Sequence, residues 1–126
     1  ETIQSLMRLI VAILFAGNIT FTSQGDDTCS LDENHASLAT ASLLGVDFSH
    51  LASSLTSRNI NTVHETIEKQ LSLEQAKKAC EALIKAIYGA IFEYIVVKVN
   101  SSINASEDAH GHNKIGASIG VLDIFG

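Results

Sequence analysis

One helical pattern in the second half of this 126-residue chain constrains the fold more than any other feature. Ser72 and Gln75 have the spacing of a capping box, in which each side chain bonds to the backbone N–H of the other residue. Apolar side chains then recur at helical spacing, at Ala76, Ala79, Cys80, Leu83, Ile87, Ile91, Ile95 and Val99. The pattern predicts a helix over residues 72–102, roughly 30 residues or about 45 Å long. Globular helices average about 11–12 residues, so this one would cross a whole domain as a strut.

The N-terminal stretch predicts a second helix, which runs to about Phe15 and is stopped by Gly17. Its large apolar residues follow helical spacing and are expected to form a buried face: Ile3, Leu6, Met7, Ile10, Ile13 and Leu14. The alternative is a secretory signal peptide that starts at Met7. Its apolar run is shorter than the roughly 20 residues that span a bilayer. The helical pattern also begins before Met7, which favours the amphipathic helix.

Turn and capping residues divide the stretch between these two helices. We expect a short strand over 18–21, a polar loop over 22–28, and a capping box formed by Ser30 and Glu33. The helix behind that box should end at Gly45. Asp47 can cap another helix, and its apolar residues share one face: Phe48, Leu51, Ala52 and Leu55.

Residues 56–71 lose the helical period and alternate instead, with Ile60, Val63 and Ile67 separated by polar residues. This pattern predicts an exposed, hairpin-like loop. It is either a simple connector or a functional loop, and its length favours function because long structureless connectors are uncommon in compact domains.

Composition narrows the class of protein. The net charge is −6 and no Lys/Arg cluster is visible along the chain, which argues against a nucleic-acid partner. Two cysteines allow one bridge but no disulfide framework, and Cys80 should be a buried free thiol.

The C-terminal stretch carries two possible ligand sites. His110 and His112, with Asp108 nearby, lack the third fixed ligand of a zinc site, so 104–114 is predicted to be a solvated loop. Residues 115–122 read as a buried parallel strand that ends at Asp123. Ligands of open α/β sheets bind at such strand ends, although an aspartate there can also merely cap a turn.

Several stretches together resemble the myosin motor domain over essentially the whole chain: VAILFAGNITF, LLGVD, LTSRNI, AIYGAIFEYIVVKVNSSI and IGVLDIFG. The resemblance implies an α-rich α/β fragment of a P-loop NTPase, with residues 1–126 forming part of the upper 50-kDa subdomain. The long helix would lead into a central sheet strand at 115–122, and 123–126 would begin switch II. The family pattern D-I-x-G-F-E continues with Phe-Glu, so we expect the chain to be cut from a longer motor.

The same resemblance implies the site residues. Asp123 would lie near Mg²⁺ through a water, and the backbone N–H of Gly126 would bond the γ-phosphate of ATP. Both would be catalytic in the complete motor, an actin-activated ATPase. The chain contains neither a G-x-x-x-x-G-K-[ST] loop nor the switch I pattern N-x-x-S-S-R, so alone it should be inactive.

Residues 56–71 resemble the cardiomyopathy loop, which would dock on actin filaments, and the resemblance implies that Arg58, at its start, and Glu65 bind actin. Counting back from EALIK at 81–85, which is similar to the family's DALAK, reaches Glu65, whose carboxylate would supply a built-in negative charge. Thr66 is the next residue, so the count could equally place Thr66 at this position of the family loop. Cys80 departs from the family, which usually has arginine there.

The resemblance also implies further partners and a location. A light chain or calmodulin would bind through a neck that the chain does not include. We expect a cytoplasmic protein on the actin cytoskeleton, with no membrane span. Two alternatives stay open: a non-catalytic helical interaction module derived from a motor, and a secreted helical glycoprotein that uses the sequons at Asn18, Asn100 and Asn104.

Overall fold

The computed structural model describes residues 2–25, 27–61, 65–108 and 120, with the side chains of 104–108 left out. Within these residues the helices are α1 Thr2–Ala16, α2 His35–Leu44, α3 Phe48–Thr56 and α4 Leu73–Asp108. The strands are β1 Phe21–Gly25, β2 Thr28–Leu31, β3 Ser57–Asn61 and β4 Thr66–Gln70. They form two antiparallel two-stranded sheets, β1–β2 and β3–β4. The chain divides into two compact units, Glu1–Tyr94 and Ile95–Gly126.

The core of the first unit combines residues from β2, α2, α3 and α4. Its buried members are Leu31, Ala41, Leu51, Leu55 and Cys80. Half-buried apolar side chains pack around them, from Ile19, Phe21, Phe48, Ala52, Ala79, Leu83 and Ile84. The fold is therefore helix-rich with small antiparallel sheets.

Helix α1 has the predicted extent but not the predicted buried face. Ala12 and Ala16 are buried, whereas Ile3 is 75% exposed, Met7 58% and Leu14 65%. The element that packs on α1 is α2, whose buried residues are also small: Ser37, Thr40 and Ala41. Small side chains let the two helices approach closely, and the Phe15 ring also meets α2, with its centroid 5.2 Å from that of His35. Leu6 and Ile13 of the predicted face are half-buried, and the other large residues of that face are exposed. Spacing alone could not distinguish these faces.

The expected strand at 18–21 and polar loop at 22–28 are wrong. The segment instead forms the β1–β2 hairpin, whose turn is made by Gly25 at φ +84° and Asp27 at φ +57°. On one face, Cys29 and Leu31 are buried in the core. Along the edge, the Thr20 and Thr22 hydroxyls each donate to Asp32 at 2.6 Å.

The capping box predicted at Ser30 and Glu33 is also wrong, because Ser30 belongs to β2. The cap of α2 is Asn34, whose side-chain oxygen accepts from the backbone N–H groups of Ala36 at 2.9 Å and Ser37 at 3.1 Å. The Ser37 hydroxyl accepts in return from the Asn34 backbone N–H at 3.0 Å. The capping box of α2 is therefore formed by Asn34 and Ser37 instead of Ser30 and Glu33.

The end signals of α2 and α3 agree better with the sequence. Gly45 stops α2 in the left-handed region at φ 72°, as predicted. Asp47 precedes α3, although its side chain makes no capping hydrogen bond. The predicted face of α3 is confirmed, since Leu51 and Leu55 are buried and Phe48 is half-buried.

Helix α4 begins with the predicted capping box. The Ser72 N–H donates to the Gln75 side chain at 3.1 Å, and the Gln75 N–H donates to the Ser72 hydroxyl at 3.4 Å. The apolar stripe is buried or half-buried as far as Ile91. The helix continues to Asp108, beyond the predicted end at 102 and into part of the predicted polar loop.

Cys80 is a buried free thiol, as predicted, and it donates a weak hydrogen bond to the Ala16 carbonyl at 3.5 Å. Burial is the larger cause that raises the pKa of this thiol, with a further contribution from the Glu81 carboxylate. The other cysteine, Cys29, is likewise free and buried, and desolvation raises its pKa.

In the second unit, the described part of α4 has exposed apolar side chains: Ile95, Val96, Val97, Val99 and Ile103. The predicted strand at 115–122 lies outside the described residues.

Candidate functional site

The β3–β4 hairpin is the predicted functional loop. Its register pairs Ser57 with Gln70 at the root and Asn61 with Thr66 at the outer end. Every strand residue is exposed except Ser57, which is intermediate. Residues 56–71 were expected to be an exposed, hairpin-like loop, and the structure has this form over the described part.

Alternation separates the hairpin into two faces. One face carries the cross-strand pairs Arg58–Lys69 and Ile60–Ile67, and the other is entirely polar or acidic, with Asn59 opposite Glu68. The two isoleucines are 37% and 46% exposed, so they cover each other without reaching the core. The hairpin thus presents a basic and apolar face and a polar face.

The root of the hairpin is tied to the core. The Leu71 N–H donates to the Thr56 carbonyl at 2.8 Å. The Cys29 thiol donates to the Leu71 carbonyl at 3.3 Å, which joins the end of this hairpin to strand β2. The Thr56 side chain, 9% exposed, donates back to Ala52 in α3 at 2.7 Å. The root is thereby fixed while the strands project outward.

Two predicted site residues lie on this hairpin. Arg58 is exposed in β3, and Glu65 is exposed immediately before β4. Residues 62–64, which connect them, lie outside the described residues. The structure therefore places both side chains on one projecting element.

The predicted nucleotide-site residues and the histidines considered for a metal site lie outside the described part of the chain. Asp123 and Gly126 lie outside the described residues, as do His110 and His112, and the Asp108 side chain is not described. Over the side chains that are described, no group of three His, Cys, Asp or Glu residues is arranged to hold a metal ion. No helix in that part of the chain is both long and apolar enough to span a membrane.

Two basic residues that no sequence pattern indicated lie around the same cavity as Arg58. Lys69 is its direct partner in the hairpin register, and Lys78 comes from the second turn of α4. The cluster is invisible along the chain because these residues are 11 and 20 positions from Arg58. Of these two residues, only Lys69 could have been predicted to lie near Arg58, and only if the strand register of the hairpin had been known.

Comparison with known proteins gives a consistent result over the whole length. Residues 1–126 match the family model described as myosin head (motor domain). The chain is 36% identical over 122 residues to human unconventional myosin-Va, covering 96% of this chain and 6% of that protein. It is 34% identical over 127 residues to Arabidopsis thaliana myosin-3, covering 100% of this chain and 11% of that protein. It is 35% identical over 126 residues to zebrafish (Danio rerio) unconventional myosin-Ic, covering 100% of this chain and 12% of that protein.

The chain therefore spans 6 to 12% of the length of these three relatives. The match to the family model has no gap in coverage, and three relatives from animals and a plant agree with it. The chain belongs to the myosin head (motor domain) family.

Proposed function

We propose that this chain is part of an actin-activated ATPase motor that couples ATP hydrolysis to movement along actin filaments. The observation that carries the proposal is the family match over residues 1–126. The motor would have the fold of a P-loop NTPase, use ATP and Mg²⁺, and work in the cytoplasm on the actin cytoskeleton. Its neck would bind a light chain or calmodulin.

Within this motor, the β3–β4 hairpin would contact the actin filament through Arg58 and Glu65. The exposure of both strands and the fixed root support this role, since a binding loop needs a projecting surface on a rigid base. Glu65 would supply a permanent negative charge at the contact.

Asp123 and Gly126 would act at the nucleotide. Asp123 would hold a water on Mg²⁺, and the Gly126 N–H would bond the γ-phosphate. The chain contains no phosphate-loop motif, so the grip on ATP would come from other parts of the motor. We expect the 126-residue chain alone to hydrolyse no ATP.

The hairpin assignment is tested by Glu65→Ala in the full-length motor that carries this chain. Actin activation should fall far more than basal ATPase, because the residue is on an exposed surface element. The loss should shrink as salt is added, since exposed charges are screened. Glu68→Ala is the matched control, a carboxylate on the same hairpin. Equal losses in the two variants, or an equal fall in basal hydrolysis, would reject a specific actin contact at Glu65.

The switch II assignment is tested by Gly126→Ala in the same motor. A methyl group would crowd the approach of backbone to phosphate and restrict the dihedral freedom that closure needs. Loss of one backbone donor to the developing charge costs about 10²–10³ in rate. Single-turnover hydrolysis should fall by that amount while ATP affinity stays near normal. A loss of no more than about threefold would be smaller than the loss expected when such a donor is removed. That result would show that Gly126 is only a turn residue.

A further inference from the structure

A cavity of about 340 Å³ lies between the β3–β4 hairpin and the first turns of α4. Its lining consists of Arg58, Lys69, Leu71, Gln75, Lys78 and Ala79. Three of these six residues are basic, and none of the six is acidic. The whole chain has only 8 Lys and Arg against 14 Asp and Glu, so this cavity concentrates positive charge in an acidic protein.

The register of the hairpin places two of these positive charges where their repulsion destabilises the strand pair. Arg58 and Lys69 are directly opposite each other, and like charges at such positions destabilise a strand pair. Within the described part of the chain, neither side chain forms an ion pair or a side-chain hydrogen bond. Among the described residues, no ion pair or side-chain hydrogen bond offsets the repulsion between them.

The third cation also lacks its ordinary helix partner. Glu74 is four residues before Lys78, a spacing at which opposite charges commonly pair on a helix surface. The two form no ion pair here, and Glu74 instead lines a separate cavity with Asp27 and Thr28. Lys78 thus lines the cavity with a charge that has no ion pair among the described residues.

We propose that this cavity is a binding site for a phosphate-bearing anion. A phosphate monoester carries a charge of about −1.5 to −2 near pH 7 and three acceptor oxygens. Donors for those oxygens are available on three elements that line the cavity: a guanidinium on β3 and ammonium groups on β4 and α4. A carboxylate has one charge and two oxygens, so it would leave part of this cluster unsatisfied. Gln75 also lines the cavity, and its amide nitrogen is a further, neutral donor.

The site is independent of the proposed motor function, because it depends only on the cavity and its three cations. The two meet at Arg58, whose guanidinium would be occupied by the anion. A bound phosphate would then change the charge that the hairpin presents to any partner.

The test uses the full-length protein that carries this chain, with its nucleotide site first saturated by a non-hydrolysable ATP analogue. Inorganic pyrophosphate is then titrated by calorimetry at low salt. We expect binding by the parent, and about tenfold weaker binding by Lys78→Gln, because a charge-assisted hydrogen bond is lost. Arg58→Gln should weaken binding at least as much.

Lys77→Gln is the matched control, since it removes an exposed lysine from the adjacent helix position that does not line the cavity. It should bind within about twofold of the parent, as expected for a screened surface charge. Unchanged thermal unfolding midpoints would show that the variants are folded. Equal weakening by Lys77→Gln and Lys78→Gln would mean general charge attraction and would overturn the site.

A second arm identifies the source of the phosphate. Phosphatidylcholine vesicles with and without a phosphatidylinositol monophosphate are compared by sedimentation, with the same variants. Binding of pyrophosphate alone supports a soluble ligand, and Lys78-dependent binding to the phosphorylated vesicles supports a lipid headgroup. Binding to neither overturns the proposal. No actin is present and no turnover is measured, so this result does not bear on the motor assignment.

Discussion

The two hairpins of this chain have the same topology but opposite relations to the core. In β1–β2, one face of the second strand is buried through Cys29 and Leu31, and the edge is closed by hydrogen bonds to Asp32. In β3–β4, nine of the ten strand residues are exposed and the tenth is intermediate. A two-stranded hairpin alone is marginal in water, so the second one depends on its fixed root.

This difference separates a structural element from a surface element. The first hairpin gains stability from apolar burial, because Cys29 and Leu31 pack in the core. The second gains little from burial and keeps an unfavourable pair of like charges, Arg58 and Lys69. Stability alone would favour opposite charges at these positions. A like-charged pair is instead expected on a surface that binds a partner.

The largest predicted effect is on the first hairpin. Leu31→Ala removes a side chain that is 7% exposed in the core cluster, and it should lower the free energy of unfolding by about 2–5 kcal/mol. Ile67→Ala, at a position 46% exposed in β4, should cost no more than about 1 kcal/mol. Thermal and urea unfolding of the full-length protein measure both. Similar losses would show that the two hairpins contribute equally to the core.

A smaller effect is predicted at the junction that follows the first hairpin. Asn34 caps α2, and its amide also donates to the Thr20 hydroxyl at 3.0 Å. Asn34→Ala should cost about 1 kcal/mol, the usual value of a cap. Asp47→Ala is the control, because Asp47 makes no capping hydrogen bond, and its carboxylate has only an exposed contact with His50 at 4.0 Å and the helix dipole to interact with. Its cost should be no more than about 0.5 kcal/mol, and a larger cost would contradict this distinction.

In the second hairpin we predict a gain of stability. Lys69→Thr removes the charge opposite Arg58 and should raise the free energy of unfolding by about 0.2–1 kcal/mol. Glu68→Thr makes the same change in strand propensity on the other face of the hairpin. An equal gain from the control would assign the effect to threonine itself rather than to relief of charge repulsion.

The smallest effect concerns pH, and it belongs to the first hairpin. Hydrogen bonds from Thr20, the larger cause, and Thr22 lower the pKa of Asp32 from its ordinary value of 3.8. A depressed folded pKa stabilises the protein above the unfolded pKa, and that contribution is lost as pH falls through the folded pKa. The stability difference between the parent and Asp32→Asn should therefore shrink as pH drops below 3.8. Thr20→Val should reduce the same difference at neutral pH. A difference that is independent of pH would show that these hydrogen bonds do not shift the carboxylate.

The sequence predicted the structure correctly where a local residue pattern favours one type of structure. Gly45 ends its helix, Ser72 and Gln75 cap the long one, and alternation from Ile60 to Ile67 forms a hairpin. It was insufficient for the first hairpin, because after Phe21 the residues of β1 are polar and show no apolar alternation. The burial of α1 was missed because its contact uses alanines rather than large apolar residues.

The site could be predicted only in part for a similar reason. Arg58 and Glu65 were found through the family resemblance and lie on the predicted element. Lys69 and Lys78 line one cavity with Arg58 only because of the strand register and the course of α4, which a linear count of charges does not contain. Asp123 and Gly126 stay predictions.

The connections of the β3–β4 hairpin have a mechanical consequence. Helix α3 ends at Thr56 and β3 begins at the next residue, while only Leu71 and Ser72 separate β4 from α4. There is no slack in either connection, and the Leu71 N–H to Thr56 carbonyl bond holds the two together. A pull or push on the hairpin tip cannot be absorbed by a flexible linker. A displacement of the hairpin root would therefore move the end of α3 and the start of α4 together.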